Sequence, residues 1–204
     1  MLLSTAYFPS ISYFANLLRN EDVTVDIHEH YIKQTYRNRC RIAAANGPMF
    51  LSIPVNKRGM QKIAIKDVMI DYSMLWQKIH WRSIESAYNN SPYFLYYRDP
   101  LEQCINSNPK FLIDLNNRIL EILCKQILID CKIRFSEKYI DDGTDKNDLR
   151  NLISPKLKSE KVFPFYQQVF SDKYGFVGDL SIIDLLFNMG PDCKEYLGKI
   201  SNDK

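Results

Sequence analysis

Tyr31 to Arg41 concentrates the side chains most able to do chemistry on an anion: Lys33, Arg37, Arg39 and Arg41, with Gln34, Asn38 and the tyrosines Tyr31 and Tyr36 between them. Arg offers a planar fork of donors that matches carboxylate or phosphate, and Asn can fix an orientation. Read alone, such a run also fits a solvated basic loop on a strand. His80 stands mid-helix in Trp76-Gln77-Lys78-Ile79-His80-Trp81. An imidazole titrating near neutral pH is a natural proton carrier, whereas one packed between indole rings is a satisfied core residue. Tyr7, Phe8, Tyr13 and Phe14, and later Tyr93, Phe94, Tyr96 and Tyr97, could stack on a base or sugar ring, or serve as core.

Asp26, His28 and His30 alternate, so a continuing strand would put all three on one face at a spacing that zinc accepts. A polar strand end turning into solvent explains them as well, and no metal is assigned. Cys40, between Arg39 and Arg41, faces away from both on an alternating strand and reads as core. With 7 Gly there is no phosphate-cradling loop or dinucleotide fingerprint, and no nucleophile elbow. No cofactor is indicated.

These residues need a scaffold, and the composition provides for one. The 204 residues are 46% hydrophobic and 25% charged, with 13 Tyr and 11 Phe, enough for a sizeable core and incompatible with global disorder. The expectation is one domain over residues 1–204. A net charge of +3 is too small for a dedicated nucleic-acid binder but compatible with a local anionic partner. Five dispersed cysteines, without a Cys-x-x-Cys pair, suit a reducing compartment. The N-terminus lacks the basic region of a signal peptide, and no apolar run reaches the ~18 residues of a membrane span. A cytoplasmic location is expected.

The periodicity predicts an α/β fold. A strand at 2–7, a helix from Ile11 capped by Ser10 and a strand at 23–27 make a β-α-β start. Arg41 to Ala45 and Phe50 to Val55 form a hairpin around Asn46-Gly47, and 62–65 and 67–70 add short strands. Leu75, Trp76, Ile79, Ser83, Ala87 and Tyr88 share a helical face capped by Asp71 or Ser73. Pro92 opens a second helix and Asn108-Pro109 a third. Lys132 to Phe135 returns to the sheet. Residues 137–160 read as a mobile surface excursion with a short helix at 146–152. Ser181 to Asp184 resembles a capping box, Gly190 ends that helix, and Pro191 opens a last short one. The whole is a mixed β-sheet from the N-terminal third, covered by helices, with a C-terminal helical cap.

In this order, five blocks resemble the WbqC-like protein family: Tyr7-Phe8-Pro9 with Ser12-Tyr13-Phe14; Lys33 with Arg37-Asn38-Arg39; Leu51-Ser52-Ile53-Pro54-Val55; Trp76, His80 and Tyr88 with Pro92-Tyr93-Phe94; and Ser181 to Pro191. The chain departs from the family pattern at Ser4-Thr5-Ala6, Ser10 and Ser12. The resemblance implies a part in bacterial surface-polysaccharide (O-antigen) synthesis, with a glycine-transferase label for some members. It raises Lys33, Asn38, Arg39 and His80 as site residues.

The resulting expectation is a cytoplasmic transferase that uses an activated sugar or acyl donor, an anionic small molecule or sugar nucleotide. Lys33, Arg37 and Arg39 bind its anionic part, Asn38 orients it, His80 moves the proton, and Tyr7 or Tyr88 stacks or hydrogen-bonds. A crevice is expected at the carboxyl end of the first strand. The rivals are a nucleotidyltransferase-like enzyme, which lacks its histidine pair at Ser10-Ile11-Ser12-Tyr13, and a non-catalytic adaptor for an anionic glycan or partner protein. A nucleic-acid role ranks behind both.

Overall fold

The computed structural model describes residues 1–56, 62–141, 147–157, 159 and 161–202. In chain order these form β1 (Leu2–Ser4), α1 (Ile11–Leu18), β2 (Asp22–Asp26), β3 (Arg39–Ile42), β4 (Met49–Ser52), α2 (Trp76–Tyr88), α3 (Phe94–Ile105) and α4 (Leu112–Ile127). There follow β5 (Lys132–Phe135), β6 (Lys161–Val162), α5 (Ser171–Tyr174), α6 (Ile182–Met189), α7 (Cys193–Lys199) and β7 (Ser201–Asn202). The α/β class and the β-α-β opening are as the sequence implies. β1, β2 and β5 pair in parallel in that order, and β3 and β4 pair antiparallel as a separate hairpin. One continuous apolar core draws residues from Leu3 to Ile200.

α1 begins where Ser10 accepts the Tyr13 N–H, and it buries Ile11, Phe14, Ala15 and Leu17 in the core, with the C-terminal helices α6 and α7 as its main neighbours. In β3, Cys40 and Ile42 are fully buried while Arg39 and Arg41 are half-buried, the alternation that Cys40 required.

Local punctuation is where the structure departs from expectation. The hairpin strands stop before Ala43 and begin at Met49, because Pro48 has no N–H to donate to a ladder. The turn is therefore longer than Asn46-Gly47. Residues 62–70 carry a 3-10 turn, Ile65–Asp67, flanked by single bridges instead of two strands. Asp71 accepts the Ser73 N–H without capping α2, which starts three residues later. Residues 147–152 make turns and a parallel bridge from Asp148 to Leu2 where a helix was expected. Residues 142–146 lie outside the described residues. Nor is 137–160 wholly a surface excursion, since Arg150 is 3% exposed.

Gly190 ends α6 with φ +53°, a conformation costly for any side chain. A Cβ there would lie 2.6 Å from Cγ and Cδ1 of Tyr93. Gly190→Ala is accordingly expected to lower stability by about 2 kcal/mol, combining backbone strain with overpacking. Chemical denaturation checks this, and an unchanged midpoint would show that the ring gives way freely.

Candidate functional site

The turn from Thr5 to Ser10 leaves β1 and starts α1. It is built under strain: Phe8, fully buried, has φ +42°. Three contacts from the start of α6 hold it. Ser181 Oγ donates to the Phe8 carbonyl at 2.9 Å, Ile182 N–H to the Pro9 carbonyl at 2.8 Å, and Leu180 accepts the Ile11 N–H at 2.9 Å. Ser181 thus reaches across to Phe8 instead of closing a capping box. The N–H of Tyr7 donates to the Tyr36 carbonyl at 2.9 Å, which fixes the basic segment beside the turn.

Tyr7 and His80 meet directly. The Tyr7 hydroxyl lies 2.9 Å from Nδ1 of His80, and the imidazole sits between the rings of Tyr7 and Trp76. His80 also hydrogen-bonds the backbone of Ser52, which assigns the imidazole N–H to that side and leaves Nδ1 to accept from Tyr7. Burial lowers its pKa to about 4, against the smaller opposing effect of the Ser52 hydrogen bond. At 4% exposure it is neutral and locally satisfied. This geometry fits a buried positioning residue better than the proton carrier that the sequence suggested.

The other candidates fall into different environments. Arg37 is 3% exposed and bound through Nε (2.8 Å) and Nη2 to the buried Glu29, so its charge is already matched. Asn38 donates from Nδ2 to the Ile53 carbonyl at 2.9 Å and accepts the Ile53 N–H on its own carbonyl at 2.7 Å, tying the segment to the chain just after β4. Arg39 stacks over the Phe50 ring at 4.4 Å and donates to the Gln34 carbonyl at 2.6 Å. Lys33 is exposed. Tyr88 is away from this group: its hydroxyl accepts the Ala43 N–H, and it contributes a hydrogen bond to Asp184 that opposes the carboxyl's burial. The structure therefore joins Tyr7 to His80 and ties Asn38 to the backbone after β4, and it places the side chains of Arg37, Arg39 and Tyr88 in separate environments, with Lys33 exposed on the basic segment.

The metal spacing does not survive folding. β2 ends at Asp26, so His28 and His30 do not continue its face. Asp26 accepts from Ser136 Oγ (2.7 Å) and from Arg150 Nη1 (2.6 Å). His28 Nδ1 contacts Ser136 Oγ at 3.2 Å, and His30 is exposed against the Tyr139 ring.

Several polar residues with no local sequence signal converge here. Arg150 joins Asp26 to Asp148 at the carboxyl ends of the parallel strands, while Ser4 Oγ donates to Glu29 and to the Arg150 carbonyl. A small cleft opens at this edge, lined in part by Ser4, Thr5, Ser10, Tyr36, Arg37 and Arg150, with about 10 Å³ for water-sized groups. It lies where a parallel α/β sheet places its ligand crevice. The adjacent α1 N-terminus, by contrast, is covered: Asp179 takes the Ser12 N–H at 2.8 Å and the Ser12 hydroxyl at 2.6 Å. Deeper in the core, the buried Asp184 accepts from Tyr166 (2.5 Å) and Gln168 (2.9 Å), and burial raises its pKa against the pull of these hydrogen bonds.

The model of the WbqC-like protein family matches residues 5–163. An uncharacterized protein of Mycobacterium tuberculosis, Rv1507c, is 27% identical over a 226-residue alignment that covers 96% of each chain. No solved structure matches the chain. Among the described residues, no helix is long and apolar enough to cross a membrane.

Proposed function

The chain belongs to the WbqC-like protein family, and from that premise we propose that it transfers an activated sugar or acyl group during cytoplasmic assembly of a bacterial surface polysaccharide. The observation that carries this reading is the placement of the half-buried Arg39 and Arg41 on the outer face of β3, with Phe50 stacked beneath Arg39. Lys33 is exposed on the same basic segment, which Tyr7 anchors beside the strand-end cleft. A cation with an aromatic ring against it suits a phosphate or carboxylate carried on a flat or cyclic group. In this reading Lys33, Arg39 and Arg41 hold the anionic part of the donor. Asn38, Tyr7 and His80 hold the backbone that presents those cations, and Arg37 does so through Glu29.

A second reading, a non-catalytic module for an anionic glycan or partner protein, draws on one observation. His80, the residue best suited by type to move a proton, is buried, neutral and doubly hydrogen-bonded.

Thermal unfolding of the wild type and of Arg39→Ala with nucleotides, nucleotide sugars, CoA esters and amino acids separates the two. A ligand at about 100 times its Kd stabilises by about 2.7 kcal/mol, several degrees in Tm at this chain length. Under the transfer reading one class raises Tm in the wild type and not in Arg39→Ala. A flat response to all four classes would remove the small-donor site and leave the second reading.

A further inference from the structure

We propose that the cleft at the carboxyl end of β1 receives a single hydroxyl-bearing group of a neutral sugar. The inference deepens the transfer reading and rests on it for the kind of molecule involved.

Two polar groups on the cleft support the assignment. The Tyr36 hydroxyl belongs to a residue 9% exposed and makes no hydrogen bond among the described residues. Arg37 gives Nε and Nη2 to Glu29, and its Nη1 has no partner among the described residues. Neither atom is among the sealed, unpartnered polar atoms of the described residues, so water reaches both and a ligand oxygen entering the cleft would take its place. Neighbours on one stretch of chain, they line one cleft.

The charge balance selects what enters. The Arg37 guanidinium is matched by Glu29, and that of Arg150 by Asp26 and Asp148. A further anion would gain little from cations already neutralised. What remains is donors on Arg37 and the hydroxyls of Tyr36, Thr5 and Ser10 on the cleft wall, which can do either. A hydroxyl group, able to donate and accept at once, is complementary to that mixture. Size agrees: about 10 Å³ admits one water-sized group, so a hydroxyl or hydroxymethyl enters while the sugar ring stays at the mouth. Arg39 and Arg41 both act electrostatically on Tyr36, so the cations for an anionic portion stand next to this opening.

The test is an NMR titration of the ¹⁵N-labelled full chain with glucose, galactose and N-acetylglucosamine, and separately with inorganic pyrophosphate. The variants are Tyr36→Phe, which keeps the ring and removes a hydroxyl without a protein partner, and Arg39→Ala. The expected result is saturable shift changes at Ser4 to Ser10 and Tyr36 with at least one monosaccharide. Tyr36→Phe should weaken that binding about tenfold, as for one lost hydrogen bond, while Arg39→Ala leaves it unchanged. Pyrophosphate should respond to Arg39→Ala and not to Tyr36→Phe. The proposal is overturned if no monosaccharide gives saturable changes there, if Tyr36→Phe binds like the wild type, or if pyrophosphate binding depends on Tyr36. Should the sugar bind through Tyr36 while pyrophosphate does not bind at all, the cleft assignment stands and the anionic-donor reading falls.

Discussion

Arg150→Met is expected to lower the unfolding free energy by about 3–5 kcal/mol, the cost of leaving a buried charge without its partner. Asp26 is fully buried at the end of β2, and Arg150 is its ionic partner at 2.6 Å. The same guanidinium also binds Asp148 and the Ile140 carbonyl (2.8 Å), holding 147–150 against the sheet edge. Removing it leaves Asp26 with the hydroxyl of Ser136 and the His28 N–H. Neither supplies positive charge. Replacing both members by apolar groups, in Asp26→Leu with Arg150→Met, should recover much of the loss, because the desolvation cost of the pair disappears with it. Chemical denaturation of the wild type, both single variants and the double variant measures the coupling. If Arg150→Met stays within about 0.5 kcal/mol of the wild type, as surface substitutions do, the ion pair does not form in solution.

Acid sensitivity traced to His80 is the second large effect. Its pKa falls from 6.5 in the unfolded chain to about 4 in the folded one, chiefly by burial. The unfolded state therefore binds the extra proton over that interval, and stability declines as pH drops. The contribution is intact above about 6.5, erodes below it, and is gone near 4. At about 1.36 kcal/mol per pKa unit, the full loss is about 3 kcal/mol. Glu29 and Asp184, whose carboxyl pKa values burial raises, act in the opposite sense over the acidic range. The measurement is therefore the difference in unfolding free energy between the wild type and His80→Gln, followed from pH 7 down to 4. The wild type should lose about 3 kcal/mol more than the variant. A gap that does not change with pH would mean that His80 titrates like a solvated imidazole, and would restore it as a proton carrier.

Much of the scaffold was legible before folding. The β-α-β start, the return of 132–135 to the sheet, the inward face of Cys40 and the stop at Gly190 all follow from side-chain period and turn chemistry. Such signals act over a few residues, where backbone geometry alone decides which side chains share a face. Five ordered motifs likewise sufficed for the family.

The site was legible only as a set of residue types. Arg37 and Arg39 are two positions apart in one basic run, yet the first is sealed against Glu29 and the second lies over Phe50. Nothing in the run distinguishes them, because the partner of a buried charge is delivered by chain closure. Arg150 comes to Asp26 from 124 residues away, and Asp179 to Ser12 from 167. The same holds for His80, where the sequence shows an imidazole that could carry a proton. Only the packing of Tyr7 and Trp76 around it, and its bond to the Ser52 backbone, make it neutral. The sequence by itself determined the fold class, the family and which chemical groups the protein owns. Tertiary structure decided which of those groups are already spent on one another, because desolvation and pairing depend on neighbours that local periodicity does not encode.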